Sequence, residues 1–168
     1  MPEQVAVDSL AFARGAEALR GKIPVADLPR LRDYLHSTAG VIEYELRGTV
    51  NSRGKPQLHL AIQGRICLKC QRCLGELVQD VDRVCDLLLI ENQNDFPEVT
   101  EEDEAVDCVL AETELDVLAL LEEEIILGLP LSPRHDTAAC RISEEHDGSR
   151  TGRTAFALLA ALKNRNTE

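Results

Sequence analysis

The chain has 168 residues, with 18 basic against 30 acidic side chains and a net charge of −12. That length suits one domain that buries its own core without staples. The charge excludes a protein that coats nucleic acid non-specifically, because such binding rests on phosphate neutralisation by Lys and Arg.

Aromatic residues make up 3% of the chain and Trp is absent, which leaves little material for base-stacking platforms. Residues 1–19 carry Glu3, Asp8, Arg14 and Glu17 without an unbroken apolar run, so they do not read as a signal peptide. No stretch approaches the roughly 20 apolar residues that span a bilayer. A soluble, cytoplasmic protein is expected, and its six cysteines are then thiols or metal ligands rather than bridges.

Residues 4–9 alternate weakly and suggest a short strand, followed by an Ala-rich helical stretch over 10–19 that stops near Gly21. Val25, Leu28, Leu31 and Leu35 recur every three to four residues, predicting a second helix, with Pro29 confining its regular part to the residues after it and Gly40 ending it. From Val41 the period changes to two. Ile42, Tyr44 and Leu46 interleave with Glu43, Glu45 and Arg47, residues 51–56 supply turn chemistry, and Leu58, Leu60, Ile62 and Ile66 resume the alternation. An antiparallel hairpin over 41–66 is predicted.

Residues 77–90 read as the next strand by their β-branched content. The acidic stretch 91–107, poor in apolar residues, reads as an exposed loop, flexible over 92–105. No Lys or Arg occurs from Asp86 through Pro133, while Glu101, Glu102, Asp103, Glu104 and Glu122 to Glu124 fall there. Such acidity is ordinarily a solvated face; its sharper use is a dock for a basic partner protein. A helix is predicted over 115–127, N-capped by Asp116 and ended by Gly128 and Pro130. A short amphipathic helix over 150–164 closes the chain.

These elements add up to an α+β fold. A mainly antiparallel sheet from residues 41–90, with an extra strand near 106–110, packs against one main helix, with short N- and C-terminal helices. Short connections favour hairpins over parallel crossovers. The whole chain, 1–168, is expected to form a single domain.

Cys67, Cys70 and Cys73 make two overlapping C-x-x-C pairs. Two thiolates at that spacing can grip one Zn²⁺ from a tight turn. They supply two ligands of four, and His135 with Cys140 are the candidates for the rest, with Asp136 placed to orient the imidazole. The equally weighted reading is that Cys70, Cys73 and Cys140 are plain reduced thiols. Cys85 and Cys108 sit in apolar surroundings and read as small buried hydrophobes. Arg65, Lys69 and Arg72, with Arg53 and Lys55 from the hairpin turn, would make the cysteine neighbourhood basic, a knuckle able to touch RNA phosphates; more commonly such charges are solvated or paired. His36 and His59 read as isolated. No nucleophile elbow, Walker loop or dinucleotide fingerprint occurs, so no catalytic residue is assigned. Thiol exchange or a metal-dependent RNA-processing activity at the C-x-x-C cluster is the alternative from a different class.

Cys70-Gln71-Arg72-Cys73-Leu74, the segment ELDVLALLEEEIILGL over 114–129, the following PLSPRHD and Cys140 together resemble the YceD family, also named large ribosomal RNA subunit accumulation protein. Ala155-Phe156-Ala157-Leu158-Leu159 with Leu162-Lys163 is similar to the family's ending. The likeness runs through most of the chain from the hairpin onward. It implies a role in synthesis, processing or stability of large-subunit (23S) ribosomal RNA, exercised by binding to the RNA precursor or to a basic ribosomal protein. It implies no catalytic residues, and a family described as metal- and nucleic-acid-binding. Cys67 is an addition to the family's C-x-R-C motif, which favours Cys70 and Cys73 as ligands.

Overall fold

The computed structural model describes residues 5–92, 94, 107–136 and 140. The expected C-terminal helix lies outside these residues, as does the acidic stretch 91–107 apart from Glu91, Asn92, Asn94 and Asp107.

Strand β1 (Ala6–Val7) leads into helix α1 (Ser9–Arg14), whose N-cap Asp8 accepts a hydrogen bond from Ala11 N. The helix is shorter than the sequence suggested. It ends at Gly15, and the chain turns into strand β2 (Ala18–Pro24), where exposed and half-buried residues alternate. Leu19 and Ile23 pack against the core from that strand, a period of two hidden behind the Ala-rich composition before it. Gly21, expected to stop a helix, lies within this strand opposite Tyr44.

The predicted second helix is also replaced. Val25–Asp27 forms a 3₁₀ turn, residues 29–34 continue as turns, and strand β3 (Leu35–Ser37) follows. Val25, Leu28, Leu31 and Leu35 are nonetheless all buried. Their spacing reported which side chains face inward, not the backbone that carries them; Pro29 lacks the N–H a helix would need. The backbone of this turn is satisfied instead by Glu122, whose carboxylate accepts from Arg30 N at 2.7 Å and from Leu31 N at 3.4 Å.

Strands β4 (Val41–Val50) and β5 (Pro56–Lys69) form the predicted hairpin, in register from Ile42 opposite Gly64 to Val50 opposite Pro56. Its turn is held by the Asn51 side chain, which accepts from Arg53 N and Lys55 N, with Gly54 at φ +75°. Strand β6 (Glu76–Ile90) pairs antiparallel with β5. Strand β7 (Asp107–Leu110) pairs with β6 in parallel, so the expected mainly antiparallel sheet carries one parallel pair, where a hairpin connection had been favoured. A parallel pair needs a crossover of about a dozen residues or more, and the sixteen residues between Ile90 and Asp107 provide it. The sheet order is β2-β4-β5-β6-β7, with β3 on β5 beyond the end of β4.

One face of this sheet is apolar. Leu58, Leu60, Ile62, Ile66 and Leu68 of β5 point to it, joined by Ile42, Leu46, Val81, Leu87 and Leu89, and α1, the 25–35 turns and α2 (Val117–Gly128) cover it. Gly48 lets α1 lie close: a Cβ there would stand 2.1 Å from the Phe12 carbonyl oxygen. Helix α2 is the predicted main helix, with Asp116 accepting from Leu118 N and Ala119 N. Val117, Leu121 and Ile125 are buried one turn apart, each contributing roughly 1.5–3 kcal/mol of apolar burial. Strand β8 (Leu115–Asp116), just before α2, pairs with β1 and ties the start of the chain to this helix.

The other sheet face is polar and internally paired. Arg20 and Arg47 both reach Glu45, Lys22 reaches Glu43, His59 reaches Asp86 and Arg65 reaches Asp80.

Candidate metal centre

The turn between β5 and β6 and the segment after α2 meet at one end of the sheet. Leu74 N donates to Cys70 O and Cys70 N to Gly75 O, both at 2.9 Å, with Leu74 at φ +60° closing the loop. A non-glycine residue in that conformation costs roughly 1–2 kcal/mol, so these bonds hold the turn against its own preference. Gln71 N donates to Pro133 O at 2.8 Å, which sews the post-helix segment onto the turn.

This junction gathers Cys70, Cys73, His135 and Cys140, whose ligand atoms all lie within 4.8 Å of one another. Cys70 Sγ and Cys140 Sγ are 3.8 Å apart, and Cys73 Sγ is 3.4 Å from His135 Nδ1. Bond lengths of about 2.3 Å to sulfur and 2.0 Å to nitrogen around a tetrahedral Zn²⁺ give edges of roughly 3.8 Å for S···S and 3.5 Å for S···N. The two contacts match those edges, so the cluster could hold a metal ion.

The imidazole is oriented for that task. His135 Nε2 lies 2.6 Å from the Glu76 carbonyl oxygen; a carbonyl only accepts, so Nε2 carries the proton and Nδ1 presents its lone pair to the sulfurs. The sequence had offered Asp136 for this role. Glu76 fills it instead, because β6 begins beside the ring, while the Asp136 carbonyl accepts from Cys140 N at 3.2 Å. The Glu76 carbonyl also raises the His135 pKa above its ordinary value, helped by the Cys140 thiol.

The thiols are unequal. Burial opposes ionisation of Cys70, but the backbone N–H groups of Cys73, His135 and Arg72 and the Cys73 thiol outweigh it and bring its pKa down to about 5. At Cys73 the Gly75 N–H favours ionisation, yet burial and the neighbouring Cys70 and Cys140 sulfurs push the thiol up. A turn full of N–H donors thus prepares one thiolate, and a cation would be needed to hold the others ionised together.

Arg72 has a place in this arrangement: its Nε donates to Cys140 Sγ at 3.1 Å. Three thiolates, a neutral imidazole and a dication sum to −1, and the Arg72 guanidinium offsets it. Of the other residues suggested for RNA contact, Arg65 is paired with Asp80, and Lys69 is half-buried beside the turn. Arg53 and Lys55 do not belong to the neighbourhood. They lie in the β4–β5 turn, at the far end of β5, roughly 40 Å away at about 3.3 Å per residue.

His36 is not isolated either. With Cys67 and Glu76 it forms a second group whose ligand atoms lie within 4.8 Å of one another. Burial, with the Glu76 carboxylate beside it, pushes the Cys67 thiol up. Only the pairing of β3 with β5 reveals this group, since 36, 67 and 76 are too far apart in the chain for a spacing motif. Cys85 and Cys108 are half-buried, and burial, with the Glu124 carboxylate, pushes Cys85 up to about 12. Glu122 and Glu124, read in the sequence as part of an acidic surface, are buried on α2, Glu122 on the 30–31 backbone and Glu124 on Arg83 at 3.2 Å.

The family described as "Large ribosomal RNA subunit accumulation protein YceD" matches residues 58–163, a span that contains Cys70, Cys73, His135 and Cys140 but not His36 of β3. The chain belongs to the YceD family. A member from Haemophilus influenzae, named large ribosomal RNA subunit accumulation protein YceD, is 27% identical over 167 residues, covering 84% of this chain and 94% of its own. No solved structure matches. Among the described residues, no helix is long and apolar enough to cross a membrane.

Proposed function

We propose that this protein supports the synthesis, processing or stability of large-subunit ribosomal RNA in the cytoplasm, by binding rather than by catalysis, with a structural Zn²⁺ at Cys70, Cys73, His135 and Cys140. The observation that carries the reading is the family match across residues 58–163, joined to a gathered ligand set in which one S···S and one S···N spacing match the edges of a tetrahedral ion. Four protein ligands fill a tetrahedral zinc and leave no position for substrate water, which marks a structural rather than a hydrolytic site. The ion would staple the segment after α2 to the β5–β6 turn, and so fix the surface that Arg72 and Lys69 share.

The charge of −12 favours contact through a basic ribosomal protein, with the Arg72 corner steadying nearby RNA. The test is recovery of the full chain from cells at mild salt. Large-subunit precursor RNA with associated basic proteins is expected, and charge reversal across Glu101 to Glu104 should weaken the association. Unchanged association after charge reversal would remove the acidic dock. Recovery free of large-subunit components would remove the ribosomal role. Metal analysis of the reductively purified chain addresses the ion: protected Cys70 and Cys73 with stoichiometric zinc are expected, and a metal-free, redox-labile pair would favour a thiol oxidoreductase.

A further inference from the structure

We propose a second, exchangeable site for a zinc-like divalent cation, formed by Cys67, His36 and Glu76 beside the four-residue centre. The three ligand atoms come from three different strands and lie within 4.8 Å of one another. Strand pairing sets this convergence: Ser37 is opposite Cys67 in the β3–β5 pair, the register shift between Leu35 and Ser37 falls at His36, and Glu76 is the first residue of β6, diagonal to Cys67.

Donor chemistry decides which ion fits. A thiolate and an imidazole disfavour Mg²⁺ and Ca²⁺, which take oxygen ligands, and favour zinc and its neighbours. Charge closes as well: one thiolate, one carboxylate and a neutral imidazole neutralise a dication, with the Cys67 proton released to solvent on binding. Cys67 is buried and fixed in β5, whereas His36 and Glu76 are exposed. Those two side chains have the freedom to bring the ligand atoms, all within 4.8 Å of one another, to the roughly 3.5 Å edge a tetrahedral ion needs. Three protein ligands leave the fourth position to water, so this ion exchanges more readily than one enclosed by four.

Glu76 joins the two sites. Its carbonyl oxygen receives His135 Nε2 of the first centre at 2.6 Å, while its carboxylate belongs to the second. The second site stands on its own ligands and does not depend on the ribosomal reading.

The test is a Zn²⁺ titration of the reduced full chain against a chromophoric chelator, repeated with Co²⁺ to read sulfur-to-metal charge transfer. The wild type is expected to take up two equivalents, the second more easily stripped by chelator, with charge transfer from one further thiolate and no competition from Mg²⁺. Cys67→Ser keeps a hydrogen-bonding group beside Glu76 but no thiolate. It should lose the second equivalent and leave the first intact, and His36→Ala should do the same with Cys67 still present. Saturation of the wild type before a second equivalent, or a second equivalent retained in Cys67→Ser, would overturn the proposal.

Discussion

Arg72 offers a quantitative test of the centre, because its contribution is set by one distance. Its Nε lies 3.1 Å from Cys140 Sγ and the side chain is exposed. Opposite unit charges at that separation attract by about 1.3 kcal/mol at the permittivity of water and by about 5 kcal/mol at an effective value near 20. Exposure places Arg72 near the lower figure, and about 1.4 kcal/mol is a factor of ten in a binding constant. Arg72→Gln is therefore expected to weaken Zn²⁺ binding about tenfold at low ionic strength in a chelator competition assay. At about 1 M salt, where the screening length falls to roughly 3 Å, the deficit should shrink to a few-fold. Arg65→Gln, which removes a charge already paired with Asp80, should stay within about twofold of wild type. An Arg72→Gln protein that binds zinc as tightly as wild type at low salt would refute the charge argument, as would an equal loss in Arg65→Gln.

Glu122→Ala should cost about 2–3 kcal/mol in urea unfolding, since it strips a charged acceptor from the buried Leu31 N–H and the partly buried Arg30 N–H; Glu123→Ala, an exposed neighbour, should cost under about 1 kcal/mol, and equal midpoints for the two would contradict the assignment. Gly48→Ala should destabilise by about 1–3 kcal/mol or more, because the added methyl meets the α1 backbone, and a neutral result would mean that α1 does not pack as described. In the metal-free reduced protein, thiolate absorption that disappears in Cys70→Ser should fade as pH falls through about 5. The stability this thiolate confers is complete above the ordinary thiol value and gone once the pH has fallen through about 5; an absorption lost near the ordinary thiol value would show that the turn does not stabilise it.

The sequence by itself determined the hairpin over 41–66, because alternation of period two with an Asn-Ser-Arg-Gly turn admits little else, and the main helix, because Asp116 caps an apolar stripe that Gly128 ends. It also named Cys70, Cys73, His135 and Cys140, from residue types that suit one ion. What it could not supply was backbone conformation where burial alone repeats: Val25, Leu28, Leu31 and Leu35 face inward at helical spacing on a chain of turns. The parallel pairing of β7, the burial of Glu122 on the Arg30 and Leu31 backbone, and the meeting of His36, Cys67 and Glu76 were decided only by tertiary structure. Each joins groups far apart in the chain, and pattern along a sequence reports near neighbours, whereas hydrogen-bond and ligand partners across a sheet are set by register.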